Sequence, residues 1–166
     1  STRTGWARRP AISRLDVAHI LCLSNGGADG LGTVRAAEMR RAAERFGATV
    51  TVVDDPRLLD GAHWDVAVVA QRVGEALGRH DAVLTFDARG VSGHANHVAT
   101  SAGVRLALSS NKQGALLELE TVRGAFLGPF ALVARLWRLG PAFVTVRPWD
   151  AWAALAVHAS QFVWFR

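Results

Sequence analysis

AVLTFDARGVSGHANH, residues 82 to 97, decides how the rest of the chain is read. An apolar run, Ala82-Val83-Leu84, continues through Thr85 and Phe86 into a loop with Asp87, Gly90 and Gly93. The loop ends on His94 and His97. A buried strand, a turn and the first turn of a helix have this order of residues. In an open α/β sheet, ligands bind beyond the carboxyl ends of the strands, so such a loop is where a site is expected. Histidines three apart on a helix share one face, and both imidazoles can address one point. Asp87, ten residues before His97, stands where it can join them as a ligand or as the acceptor that fixes a histidine tautomer. The same residues also suit a solvated turn with a helix cap. Chemistry is favoured because an aspartate and two histidines gather at a strand end where none has a hydrophobic role.

Strands and helices alternate on both sides of this stretch. His19 to Ser24 (HILCLS) predicts a short strand closed by the glycine-rich turn Asn25 to Gly32, and Thr33 to Phe46 a helix with Val34, Met39, Ala42, Ala43 and Phe46 on its apolar face. Gly47 stands as its C-terminal cap. Thr49 to Val53 is a second strand, and Trp64 to Leu77 a helix with Val66, Val69, Ala70, Val73 and Leu77 inward. After the third strand, Ala82 to Phe86, a helix from His97 to about Ser109 carries Val98, Ala102 and Leu106 inward. Ala115 to Val122 predicts a strand, Gly124 to Leu139 a helix interrupted at Pro129, Ala142 to Val146 a strand, and Trp149 to Arg166 a final helix. Alternation of this kind implies an α/β, Rossmann-like fold: a mostly parallel sheet with helices on both faces. Residues 1–18 are expected to be an atypical N-terminal segment, and 19–166 a single α/β domain.

At 166 residues, half of them hydrophobic and 20% charged, the chain is long enough for one buried core. The net charge of +5 and the pI near 11.1 come almost wholly from arginine, since Lys112 is the one lysine. The arginines are scattered through the helices and form no block, which argues against nucleic acid as a partner. Attraction to an anionic membrane or a phosphorylated substrate remains open. Cys22, the one cysteine, excludes an internal disulfide and reads as core. Trp149, Trp152 and Trp164 are also read as core, with a lipid-contact surface as the alternative. No run approaches the roughly 20 apolar residues of a membrane span. His63 and His80 read as loop residues.

The turn after the first strand offers a competing site. Gly30-Leu31-Gly32-Thr33-Val34-Arg35 matches a G-x-G-x-x-G/A dinucleotide fingerprint except at its last position, and Asp54 follows Gly32 by 22 residues, where a ribose-binding acid would stand. Arg35 in place of a small residue obstructs close helix–strand packing. The absence of Gly-Lys-Ser/Thr after the glycines excludes a P-loop.

Three separated segments in the same order, LCLSNGGADGLGTVRAAE, TFDARGVSGHANH and HASQFVWFR, resemble the N-acetylglucosaminyl-phosphatidylinositol de-N-acetylases of GPI-anchor synthesis, a branch of the LmbE-like zinc deacetylases. The resemblance runs from about His19 to Arg166. It implies amide hydrolysis on a glycolipid substrate at the cytoplasmic face of the endoplasmic reticulum membrane, with a Zn²⁺ cofactor. His97 matches the zinc ligand of the family's H-x-x-H motif. His94 matches its partner, which stabilises the oxyanion or acts as acid. Asp87 is placed with the catalytic residues, and Arg35, Glu38, His158 and Gln161 with substrate binding. His158 and Gln161 are read on one helix face, which without the resemblance would be taken as solvent-exposed.

The family also carries A-H-P-D-D-E at the end of its first strand, supplying two further zinc ligands and the general base. That string does not occur here, and Asp16 and His19 lie at the wrong end of a strand to replace it. The first strand is therefore expected to be missing, zinc to be weakly held or absent, and the chain as written to be incomplete or inactive. The alternatives are a non-catalytic glycolipid-binding relative and, more remotely, a nucleotide-binding domain.

Overall fold

Every strand expected between residues 19 and 119 forms, and each pairs in parallel. The computed structural model describes residues 18–78, 80–111, 114–119 and 148–161. β1 (His19–Cys22) pairs with β2 (Thr49–Val52), His19 opposite Thr49 and Cys22 opposite Val52. β3 (Ala82–Phe86) pairs with β4 (Ala115–Leu119), Ala82 opposite Ala115 and Phe86 opposite Leu119. The helices are α1 (Gly32–Arg45), α2 (Val66–Leu77), the single turn α3 (Gly90–Gly93), α4 (Ala95–Asn111) and α5 (Pro148–Leu155). The fold is α/β, as expected. Among the described residues the strands form two two-stranded parallel ladders and not one continuous sheet.

One core serves both ladders. Leu23, Leu58, Trp64, Val69, Val73, Ala99, Val104 and Ala107 form a buried cluster against which Leu21 of β1, Val83 of β3 and Leu116 of β4 pack. Trp64 precedes α2 and is not part of it; its ring is buried and its Nε1–H donates to the Leu59 carbonyl at 2.9 Å. Asp65 starts α2 by accepting from Ala67 N at 2.8 Å, which is why the helix begins two residues later than its apolar spacing predicts. Gly47 takes φ +64° after α1, as its role as a cap requires.

Two helix faces differ from the sequence reading. On α1 the buried residues are Gly32, Glu38, Ala42 and Ala43, while Val34 and Phe46 are 45% and 56% exposed. On α4, Val98 and Leu106 are exposed, and Ala99, Gly103 and Ala107, four residues apart, face inward. The cause is the closeness of α2. A Cβ built on Gly103 would lie 2.3 Å from Val69 Cγ1 and 2.6 Å from Val69 Cβ, so only small residues fit along this seam. α4 also begins at Ala95, two residues before His97, and runs to Asn111.

Asp55 anchors the link from β2 to α2. Its carboxylate caps the turn Pro56–Leu58 and accepts from Arg57 and from Arg72 Nε and Nη2. The expected helix at 124–139 and strand at 142–146 lie outside the described residues, as do Asp16 and Trp164. α5 ends at Leu155, so His158 and Gln161 stand in the turn that follows it and not on its face. Trp149 and Trp152 are 59% and 67% exposed, against the core reading, while Ala154 of the same helix is buried.

Candidate functional site

The loop after β3 is held by its own carboxylate. Asp87 Oδ1 accepts from Arg89 N at 3.0 Å and Val91 N at 3.3 Å, drawing the backbone into a tight turn. The turn needs left-handed backbone at Gly90 (φ +66°) and forces it on Val91 (φ +60°), a costly conformation for a β-branched residue. Gly90 admits no side chain, since a Cβ there would lie 2.8 Å from His97 Cβ. Its carbonyl therefore reaches the His97 ring.

The two histidines are held in opposite tautomers. His97 Nδ1 lies 3.0 Å from the Gly90 carbonyl, which can only accept, so Nδ1 carries the proton and Nε2 presents a lone pair. Ser92 Oγ, 3.2 Å away, shares that proton, and Phe86 stacks on the ring at a centroid distance of 4.2 Å. His94 immediately precedes α4, and its Nδ1 accepts from Asn96 N at 3.3 Å, as a helix cap does. The neutral His94 ring thus carries its proton on Nε2. The ring centroids are 5.3 Å apart. One imidazole offers a Lewis base and its neighbour a hydrogen-bond donor.

A second cluster stands at the carboxyl ends of β1 and β2. A cavity of about 270 Å³ is lined by residues including Cys22, Asn25, Arg35, Val52, His158 and Gln161. Three of the expected substrate-binding residues, Arg35, His158 and Gln161, thus meet on one wall. His158 and Gln161 are half-buried, not solvent-exposed. The fourth, Glu38, lies behind them, 3% exposed, and accepts from Ser160 N at 2.9 Å and Ser160 Oγ at 2.6 Å. Burial pushes the Glu38 carboxyl up, but the two Ser160 hydrogen bonds and the nearby His158 and Arg41 more than offset it, leaving it below its usual value. Glu38 ties the residue-158 turn to α1. Burial raises the Cys22 thiol, which forms part of the cavity wall and is only partly buried, not a core residue.

Arg35 curls back over the glycine-rich turn. It donates from Nη1 to the Gly26 carbonyl and from Nη2 to Asp29 at 2.6 Å, while its buried Nε has no partner among the described residues. Asn25 packs against Gly32, where a Cβ would lie 2.9 Å from Asn25 Cγ, and its amide donates to Asp54 Oδ1 at 3.2 Å. The guanidinium is thus tied to the glycine-rich turn itself. Neither His94 nor His97 is among the residues lining the cavity. The sequence reading missed three residues that organise these sites: Gly90 through its carbonyl, Ser92 through its hydroxyl and Ser160 as the partner of Glu38. Gly90 alone left a signal, a glycine between Asp87 and the histidines.

Residues 11–108 match the family model described as PIG-L, GlcNAc-PI de-N-acetylase. A probable N-acetylglucosaminyl-phosphatidylinositol de-N-acetylase of Schizosaccharomyces pombe is 41% identical over 111 residues, covering 63% of this chain and 45% of the relative. The Bos taurus N-acetylglucosaminyl-phosphatidylinositol de-N-acetylase is 31% identical over 166 aligned residues, covering 89% and 64%. The Saccharomyces cerevisiae enzyme of the same name is 32% identical over 97 residues, covering 52% and 32%. The chain spans less than two-thirds of the length of each of these three relatives. No solved structure matches it. With the family model covering more than half of its residues, the chain belongs to the GlcNAc-PI de-N-acetylase (PIG-L) family.

Proposed function

We propose that the protein hydrolyses the acetamide of N-acetylglucosaminyl-phosphatidylinositol in GPI-anchor synthesis, releasing acetate and a free amine. Family membership and the names of the relatives support the reaction. The observation that carries the division of labour is the opposite tautomers of His94 and His97. His94 Nε2–H is the donor for the oxyanion that forms when the amide carbonyl is attacked, a role in which one donor contributes about 10²–10³ in rate. His97 Nε2 is a metal ligand, its proton held on the far nitrogen by Gly90 as a ligand's second nitrogen usually is. Asp87 holds the loop that aims both rings.

Zinc is the metal we assign to His97, but the described residues do not complete a site for it. Among them no group of three or more His, Cys, Asp or Glu stands together to hold a metal, and a hydrolytic zinc site needs about three protein ligands. The remaining ligands and the general base would lie outside the described residues. His97 alone is expected to hold zinc weakly, and this stretch by itself to turn over little substrate. The second reading is a glycolipid-binding relative without catalysis.

The cavity is assigned to the head of the glycolipid. Its roughly 270 Å³ is near the lower bound of small-molecule sites, enough for one sugar or inositol ring but not for acyl chains. Arg35, His158 and Gln161, which line the cavity, are the groups proposed to hold hydroxyl and phosphate oxygens. The cytoplasmic face of the endoplasmic reticulum membrane is the proposed location. No helix of the described residues is long and apolar enough to cross a membrane.

The test uses the complete natural protein and reads zinc by elemental analysis beside deacetylation. His97→Ala is expected to lose both metal and activity, and His94→Ala to keep zinc while losing roughly 10²-fold or more in kcat. Full activity in His97→Ala would sink the assignment. Absence of zinc and turnover from the unmutated protein would favour the binding-only reading.

A further inference from the structure

α5 presents an aromatic face to solvent. Trp149, Trp152 and Leu155 are 59%, 67% and 44% exposed and follow one another at a spacing of three, which keeps them on one side of the helix. Ala154, on another side of the helix, is buried. Tryptophan pairs an apolar ring with one N–H donor, so its preferred surroundings are the boundary between lipid headgroups and acyl chains.

The position of this face is as informative as its composition. Three residues after Leu155 the chain reaches His158, and both His158 and Gln161 line the cavity. α5 packs on α1, and Glu38 of α1 fastens Ser160 to the same helix. The aromatic face and the cavity therefore belong to one unit. α1, the helix α5 packs on, is net positive, while α5 itself carries Asp150. α1 carries Arg35, Arg40, Arg41 and Arg45 against Glu38 and Glu44, with Arg40, Arg41 and Arg45 exposed, and the whole chain carries +5. An exposed aromatic face on a chain of net positive charge complements an anionic lipid surface.

We propose that the Trp149–Trp152–Leu155 face docks on an anionic phospholipid leaflet and holds the neighbouring cavity at the level of the lipid headgroups. This rests on the assignment of the cavity to a glycolipid head. It explains how a cavity too small for acyl chains acts on a lipid: the chains stay in the leaflet and only the head is taken up.

The test is co-sedimentation with phosphatidylcholine vesicles with and without phosphatidylinositol, in low and high salt. The unmutated chain is expected to bind the phosphatidylinositol vesicles, and less so in high salt. Trp149→Ala/Trp152→Ala changes only exposed rings, so thermal unfolding should be unaltered while vesicle binding falls about tenfold or more. Equal binding by the double variant would overturn the proposal. So would an unmutated chain that dimerises in solution while the double variant is monomeric, which would assign the face to a second copy. Calorimetry with soluble N-acetylglucosaminyl-inositol phosphate separates the two readings. If the soluble head binds and vesicles do not, docking fails and the cavity assignment stands; the reverse keeps docking and removes the cavity assignment.

Discussion

Replacing Glu38 by glutamine should release the cavity wall without unfolding the domain. In the native chain the Glu38 carboxylate accepts from Ser160 N at 2.9 Å and from Ser160 Oγ at 2.6 Å, across 122 residues of sequence. Hydrogen bonds to a charged acceptor contribute about 1.5–3 kcal/mol each, and neutral ones about 0.5–1.5. Glutamine keeps one acceptor oxygen, for Ser160 N, and its NH2 can only donate, to Ser160 Oγ; with both contacts kept as neutral hydrogen bonds, each weakens by about 1 kcal/mol and the docked turn by about 2 kcal/mol, roughly a thirtyfold shift toward the undocked form. Amide hydrogen exchange reads this directly. Ser160 N–H should exchange roughly thirtyfold faster in Glu38→Gln, while Val69 N–H, in the α2–α4 core, keeps its protection. Protonation should act in the same direction. Glu38 is depressed below its ordinary 4.5, so its contribution is complete above that value and is lost as pH falls through the lower folded value. Unchanged Ser160 protection would refute the tether. An equal loss of protection at Val69 would mean that Glu38 supports the whole core and not the turn.

Gly103→Ala should lower stability by about 2 kcal/mol, or roughly 4–8 °C in Tm, because overpacking against Val69 outweighs the gain of about 1 kcal/mol in helix propensity. Adding Val69→Ala should cost less in that background than alone, and strict additivity in denaturant titrations would argue against the contact. Asp55→Asn should lower Tm near neutral pH. Hydrogen bonds from Arg57, then from Arg72, hold the Asp55 carboxyl far below its ordinary 3.8. That contribution is present above 3.8 and lost as pH falls through the depressed value, so thermal melts of the two proteins should converge only in strong acid.

Strand positions were legible because short apolar runs bounded by glycine and polar turns leave few alternatives, and Ala82–Phe86 forms with the bounds its sequence suggests. Helix faces were less legible because inward positions were assigned by size. On α4 the decisive feature was closeness: Ala99, Gly103 and Ala107 let α2 approach, which leaves Val98 and Leu106 outside. A stripe of small residues at a spacing of four was present in the sequence and would have identified the seam. On α1, the resemblance groups Glu38 with substrate binding, but its partner, Ser160, is 122 residues away, and no local pattern records such a pairing.

The candidate site divides along the same line. The composition of the loop was readable, since an aspartate, two glycines and two histidines after a strand announce a site. The state of each ring was not, because it depends on which backbone atom faces which nitrogen. Gly90 is the link between the two levels. Its missing side chain is visible in the sequence, but the consequence appears only in the fold: left-handed backbone turns its carbonyl to His97 Nδ1, and the proton fixed there frees Nε2. An alanine at 90 would meet His97 Cβ at 2.8 Å and would itself be strained at φ +66°. The glycine does more than permit the turn. It determines which nitrogen of His97 is available for chemistry, whereas His94, three residues earlier, is set the other way by the amide of Asn96.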